Sequence, residues 1–392
     1  MDTTEKPIGK FKGLNNVADP FRLTPDWFVQ ADNVDLSRTL GVQRCEGYVR
    51  RTTNTKVTGA YATDDQSRLY VVDSGELRQY LPDMTYTVLK TGLNTNAVMS
   101  FAEVNSTVFC TNGIDFGCIE AGHGWRSWGI DSPDNTTQLF FTGGSTGLPF
   151  GKYNVVTTHV DDRGMESGNS GVSQIEGQGQ LDITAIPHRT GYTTNVYVTM
   201  CKGTVFHLLS ENTGVSLSHN NELNLGRELP FWGIDLPRGT LPCYFQGRMC
   251  CAESYPQYDY TVIWSSLALR YHHFSYDDSG IIVPGEVRML EHADDDSLII
   301  GTDRQVFAYD GDKLTELASY GVVDGYPAAN LGDTLFFWTL RGLCSAMPFK
   351  NLTEDKFSVA PGLRVGAALM DRDGTRRYVV ALKKGGVAYN RR

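Results

Sequence analysis

Carboxylates are grouped at two places in the chain, Asp161 and Asp162 near Glu166, and Asp371 near Asp373. Two carboxylates about 5 to 10 Å apart across a cleft are what glycoside hydrolysis needs, one to protonate the leaving oxygen and one to attack or activate water. Both groups lie in turn contexts, where acidic side chains serve local backbone hydrogen bonds, and neither stands out. Asp294, Asp295 and Asp296 with Asp303 offer oxygen ligands for a hard cation. Their spacing lacks the alternating Asp/Asn-Gly order and the bidentate Glu of a calcium loop, so they read as a solvated turn. His272 and His273 are adjacent, which on a strand sends them to opposite faces; they read as surface or rim residues unable to share a metal. No GxSxG elbow is present, and GGSTG (143–147) and GQGQ (177–180) do not lead from a strand into a helix with a following lysine, as a phosphate loop would. The expectation is a chain with no catalytic residues, no metal site and no cofactor.

A repeated hairpin runs through the chain that carries these residues. In DDDSLIIGTDRQVFAYDG (294–311) a polar turn precedes an apolar strand, Leu298 to Ile300, and a second turn leads to Val306, Phe307 and Tyr309 before Asp310-Gly311. The same pattern recurs at QSRLYVVDSGELRQY from Gln66, NSTVFCTNGIDFGCI from Asn105, QGRMCCAES from Gln246 with TVIWSS after it, GDTLFFWTLRGLCSAM from Gly332 and GTRRYVVALKKGGVAY from Gly374. Measured at Ser67, Ser106, Gly247, Ser297, Asp333 and Thr375, neighbouring copies lie 39, 141, 50, 36 and 42 residues apart. A period of roughly 40 to 50 residues with several short strands marks propeller blades, since each small sheet has a face that only the next blade covers. A plain β-sandwich is the alternative, although its strands come at shorter, more even intervals. The anomalous gap implies an insertion.

The bulk numbers agree with an all-β chain: 392 residues with 41 Gly, 19 Tyr and 18 Phe, many Asx-Gly turns and few stretches of helical period. There are 35 Lys and Arg against 45 Asp and Glu, a net charge of −10, without a basic stripe for gripping phosphates. Such a surface would repel DNA and let it slide. The eight cysteines (Cys45, Cys110, Cys118, Cys201, Cys243, Cys250, Cys251, Cys344) lie mostly in apolar strands without CxxC spacing, and read as buried free thiols of a protein folded in a reducing cytoplasm. MDTTEKPIGKFKG lacks a signal-peptide core, and no apolar run approaches membrane-spanning length. The expectation is a protein neither exported by the usual route nor membrane-spanning.

In chain order, residues 1–56 form an N-terminal arm with a clasp strand, 57–135 the first two blades, 136–234 an inserted β-sandwich-like module with its linkers, and 235–392 four further blades. Phe11 to Arg51 differs in kind from the rest, with Asp19-Pro20 and Thr24-Pro25 turns, the aromatic pair Trp27-Phe28 and a strand-turn-strand ADNVDLSRTLGVQRCEGY. Val42 to Arg51 is expected to close the propeller by pairing with the sheet containing Tyr378 to Leu382 or with the first blade, because open edges invite aggregation. The insertion alternates at Tyr153, Val155, Thr157 and His159 and again at Leu181 and Ile183. It resembles a short fibronectin type III module, with Tyr153 on an early strand and Asn195-Val196-Tyr197-Val198 on a late one.

The words Gly13-Leu14-Asn15-Asn16, Asp19-Pro20, Ala31-Asp32-Asn33-Val34 and Arg44 through Gly47-Tyr48 make the arm similar to the start of the β-propeller tail nozzle or tail hub proteins of short-tailed bacteriophages. The match covers about forty residues; the remainder agrees in repeat architecture. The resemblance implies a structural, non-enzymatic virion protein made in the host bacterial cytoplasm. It would form a homo-oligomer, a hexameric ring, below the portal adaptor ring, and genomic DNA would pass through it without specific binding. Tail fibres are a further possible partner. Phe21, Leu23, Trp27 and Phe28 are the candidate docking residues. The competing readings are a propeller glycosidase or carbohydrate-binding tail component acting on the host envelope, and a cytoplasmic propeller serving as an interaction platform.

Overall fold

The computed structural model describes residues 10–36, 40–45, 56–63, 65–120, 122–211, 214–233, 235–275, 280–294, 296–330, 334–372 and 375–384. Apart from single 3-10 turns at Pro20–Arg22, Glu222–Asn224 and Pro256–Tyr258, every regular element among them is a strand. The chain is all-β.

Small antiparallel sheets follow one another along the chain. The first is Val57–Ala62, Leu69–Asp73, Glu76–Tyr80 and Tyr86–Lys90; the second is Ser100–Val104, Thr107–Thr111, Phe116–Glu120 and Gly124–Ser127. The third runs Thr240–Phe245, Arg248–Tyr255, Tyr260–Leu267, with Arg270–Phe274 and Ile281–Pro284 both on the last of these. The fourth is Val287–Asp294, Ser297–Thr302, Val306–Tyr309 and Leu314–Ala318, and the fifth Ala328–Asn330, Leu335–Thr339, Gly342–Ser345 and Lys350–Asn351. The sixth joins Arg364–Arg372 and Thr375–Lys383, with Gly325–Tyr326 added in parallel.

Packing explains the repeated hairpin. The second strand of each complete sheet is buried on both faces, as Ser297–Thr302 is throughout, and therefore reads as a continuous apolar run rather than an alternation. Alternate residues on these strands serve different cores. Leu298 and Ile300 pack with Cys243, Cys250 and Ile263 of the third sheet, whereas Ile299 packs with Leu335, Phe337 and Cys344 of the fifth. Cys250 faces the fourth sheet while Cys251 joins Phe109 and Met249 between the second and third. Tyr70, Val72, Val108 and Cys110 fill the space between the first two sheets, and Trp338 with Val365 joins the fifth to the sixth. Tyr326, paired with Gly366 of the sixth sheet, donates its hydroxyl proton to the carbonyl of Met99, which lies between the first two sheets. Sheets stacked face to face in order, with the last reaching the first, are a β-propeller.

Three of the hairpin turns share a device. Thr302 Oγ1 accepts from the amides of Arg304 (3.2 Å) and Gln305 (2.9 Å), Thr111 Oγ1 from Gly113 (3.0 Å), and Thr339 Oγ1 from Arg341 (3.1 Å). Each threonine is wholly buried, so its hydroxyl is fixed in place to accept from the turn amides.

Between the second and third sheets the chain forms strands with a core of their own, including Tyr153, Val155, Leu181, Ile183, Val196 and Val198. Ser173–Thr184 is shared. Its first half pairs with Leu148–Val160, and its second with Gln138–Thr142 and Ser216–His219. Gly177 sits in that shared strand because a Cβ there would meet the Phe141 ring at 2.3 Å.

In the arm, Gly13–Leu14 pairs in parallel with Trp27–Phe28, and Val34–Leu36 with Val42–Arg44. The expected clasp takes another form in its described part: Val42–Arg44 pairs with Val34–Leu36 alone, and 46–51 lies outside the described residues. The arm is tied to the end of the chain by side chains instead, through an ion pair between Asp35 and Arg377. A single 3-10 turn joins Arg248–Tyr255 to Tyr260–Leu267, with Tyr255 opposite Tyr260.

Candidate functional site

Residues 15–22 form a loop that shapes itself. Asn15, itself buried, accepts through Oδ1 from the amides of Val17 (3.2 Å) and Ala18 (3.0 Å). Asp19 Oδ1 caps the following 3-10 turn through the Phe21 amide at 3.0 Å, and Pro20 presets its first residue. The loop is strapped to the segment before the sixth sheet: Asn16 donates to the carbonyl of Ser358 (3.0 Å) and accepts from its amide (2.7 Å), and the Asn16 amide donates to the Lys356 carbonyl at 3.0 Å.

The product is a phenylalanine held out into solvent, Phe21, 98% exposed. Leu23, Trp27 and Phe28 are half-buried, and Phe28 stacks on Phe11 at 4.5 Å. Of the four candidate docking residues, then, only Phe21 projects, and the other three are partly covered. Val17 (48% exposed) and Val359 (41%) flank the Asn16–Ser358 strap, and Leu363 (62%) follows. Burying a side chain of this size is worth about 1.5–3 kcal/mol, which the isolated chain forgoes at Phe21.

Charge is also uneven. Residues 360–392 hold eight Lys and Arg against two Asp, so they carry +6 while the preceding 359 residues carry −16. Arg364, Arg376, Lys383 and Lys384 are exposed on or beside the sixth sheet.

The residues considered for acid–base chemistry sit where the 138–219 strands meet the second and third sheets. Arg163 bridges Asp161 (2.7 Å) and Glu120 (2.7 Å), and Arg126 pairs with Asp162 (3.0 Å). Glu166 is buried and accepts from Thr158 (2.5 Å), Tyr197 (2.6 Å), Asn195 (3.2 Å) and Arg227 (3.1 Å). Burial pushes its carboxyl up, but the bonds from Thr158, Tyr197 and Arg227 outweigh it and hold the group below its ordinary value. This is a fixed anion that orders an interior, with three donors on Oε1 and Arg227 on Oε2.

The histidine pair departs from expectation. His273 is buried rather than on a rim, stacked on Phe231 at 3.8 Å, and the two imidazoles lie 3.9 Å apart despite being neighbours in a strand. His273 Nε2 bonds the carbonyl of Glu166, which fixes the tautomer with its proton on Nε2 and leaves Nδ1 bare. Burial lowers His272 to about 3 and His273 to about 4, with the His273 and Arg163 charges adding to the effect on His272.

Of the aspartates considered for a cation, Asp295 and the side chain of Asp294 lie outside the described residues, and the other two are held apart. Asp296 precedes Ser297–Thr302 and Asp303 follows it, so a six-residue strand, roughly 20 Å, lies between them. Asp303 instead accepts from the Glu286 amide at 3.0 Å and pairs with Arg304. Asp373 and the side chain of Asp371 lie outside the described residues. Glu291, half-buried on the fourth sheet, is pushed up to about 7 by burial. Six of the eight cysteines are buried, and burial raises thiols such as Cys250, to about 11. No helix among the described residues is long and apolar enough to cross a membrane.

No family model matches the sequence, and no curated protein does. Among solved structures the chain is similar to Hsv2 of Kluyveromyces lactis, with 9% identity and a TM-score of 0.30 over 83% of this chain and 89% of that one. It is also similar to the calcium-binding protein regucalcin of Agrobacterium tumefaciens, with 10% identity and a TM-score of 0.26 over 73% and 82%. A luciferin-regenerating enzyme gives 11% identity and 0.25 over 78% and 88%. Likenesses this low carry no argument about function, and the fold rests on the alternating cores between the sheets.

Proposed function

We propose that this chain is a structural protein of a short-tailed phage virion, assembling as a hexameric ring below the portal adaptor to form the DNA exit channel and retain the genome until ejection. In this reading the six sheets are six blades, and 136–234 is an inserted module that meets a neighbouring subunit or a tail fibre. The observation that carries it is Phe21, 98% exposed on a loop already shaped by Asn15 and Asp19 and strapped by Asn16 to the other end of the chain. Such a preformed aromatic anchor costs little ordering when it docks. The resemblance of Gly13 through Tyr48 to tail nozzle proteins supports the same assignment.

The test is the mass of the purified protein alone and after mixing with portal–adaptor particles, followed by electron microscopy. The expected result is a six-fold ring capping the adaptor, with Phe21→Ser giving a folded chain of unchanged melting temperature that no longer joins. A wild-type monomer that ignores the particles overturns the reading. Normal joining by F21S removes Phe21 from it.

A further inference from the structure

An open cleft of about 480 Å3 lies between the third sheet and the segments leading into and out of the 138–219 strands. The segments are tightly joined: a Cβ on Gly168 would meet Ser132 Oγ at 2.6 Å and the Gly233 carbonyl oxygen at 3.0 Å. Asp235 Oδ1 accepts from the Ser132 amide at 2.6 Å. The opposite wall belongs to the sheet. Tyr255 pairs with Tyr260, Glu253 with Val262 and Cys251 with Trp264, so Glu253, Tyr255 and Trp264 share one face. The Trp264 indole donates to Glu253 Oε2 at 2.8 Å and thereby orients the carboxylate.

What remains unbonded is specific. Glu253 Oε1, Asp235 Oδ2 and the Arg238 guanidinium have no hydrogen-bonding or ionic partner among the described residues. Elsewhere Arg163, Arg304 and Arg364 are each paired with a carboxylate.

We propose that this cleft binds a neutral saccharide. Sugar hydroxyls both donate and accept, so adjacent hydroxyls satisfy the two spare carboxylate oxygens and the guanidinium together. The apolar C–H face of a pyranose packs on aromatic rings, which Tyr255 and Trp264 bring to the lining. Two carboxylates against one guanidinium repel a phosphate or carboxylate, and a simple cation would leave the guanidinium donors unmatched, which a hydroxyl-bearing ligand does not. A concave site between structural units with few convergent polar groups is where such ligands bind. The assignment does not depend on the nozzle reading.

The experiment is to apply the full chain to an array of neutral hexose and N-acetylhexosamine oligosaccharides together with acidic ones, then titrate the best binder by calorimetry. The expected result is retention of neutral oligosaccharides, with Arg238→Ala and Glu253→Gln each weakening binding tenfold or more. Arg238 is exposed and E253Q keeps the side-chain shape, so both variants should melt as the wild type does. The proposal is overturned if no neutral oligosaccharide is held, if acidic glycans are preferred, or if affinity survives both substitutions.

Discussion

His273 Nε2 donates to the backbone carbonyl of Glu166 at 2.7 Å, joining residues 107 apart in the chain. The bond ties the third sheet to the turn that follows Leu148–Val160, and it needs a neutral imidazole in a buried place. His272, Arg163, Asp161, Arg270 and Glu166 are the charged or titratable groups around the pair.

Stability should therefore depend on pH through this contact. His273 titrates near 4 in the fold, chiefly because it is buried, against 6.5 for the free side chain, and His272 shifts the same way. Between those values the unfolded chain binds a proton that the fold refuses, so the contribution is complete above pH 6.5 and lost as pH falls toward 4. For His273 it amounts to at most about 3 kcal/mol. Melting temperature measured from pH 4 to 7 should rise less steeply in His273→Gln and least in the double variant with His272→Gln. An unaltered slope would assign the acid sensitivity to other groups.

Glu291 should act with the opposite sign. Its carboxyl is raised by burial from 4.5 to about 7, so the fold holds a proton that the unfolded chain releases. Its contribution is present below pH 4.5 and lost as pH rises through 7. Glu291→Gln should make the protein relatively more stable near pH 8 than near pH 5 when compared with the wild type in urea titrations. Equal effects at both values would contradict a protonated Glu291.

Arg163 joins Glu120 of the second sheet to Asp161, with 18% of its side chain exposed. Arg163→Ala leaves two carboxylates facing each other in a partly buried place and should cost about 2 kcal/mol, between the values for surface and buried pairs. A double-mutant cycle with Glu120→Ala should give a coupling near 1 kcal/mol in chemical denaturation. Zero coupling would mean that the pair is incidental to holding the two units together.

Thr302 offers a local test of the turn device. Thr302→Val keeps the shape but removes the acceptor for the amides of Arg304 and Gln305. The expected loss is about 1 kcal/mol, the net worth of a hydrogen bond whose donors water can partly satisfy. By contrast Ile299→Ala, wholly buried between the fourth and fifth sheets, should cost about 2–5 kcal/mol with an unchanged denaturant slope. Matching losses below 0.5 kcal/mol at both positions would contradict the packing described.

The repeated hairpins, and the apolar runs at their centres that are buried on both faces, are legible in the amino-acid order. Leu298-Ile299-Ile300 could be read as a buried strand because a short unbroken apolar run between turns has no solvated face. The repeat period and the extra length before Gly247 were legible for the same reason. Phe21 could be picked from its type and neighbours, but Trp27 and Phe28 beside it looked equally available, and only their half-burial, with Phe28 stacked on Phe11, separated them. Tertiary structure alone decided partners. Periodicity reports how much of a side chain must leave water; it does not report what covers it. Hence Ile299 and Ile300 are alike in sequence yet serve different cores, and His273, whose type suggested a surface, is buried by Phe231 and Glu166 from far along the chain. The cleft at Asp235, Arg238 and Glu253 was silent for that reason too, because its groups become a site only where three distant segments converge.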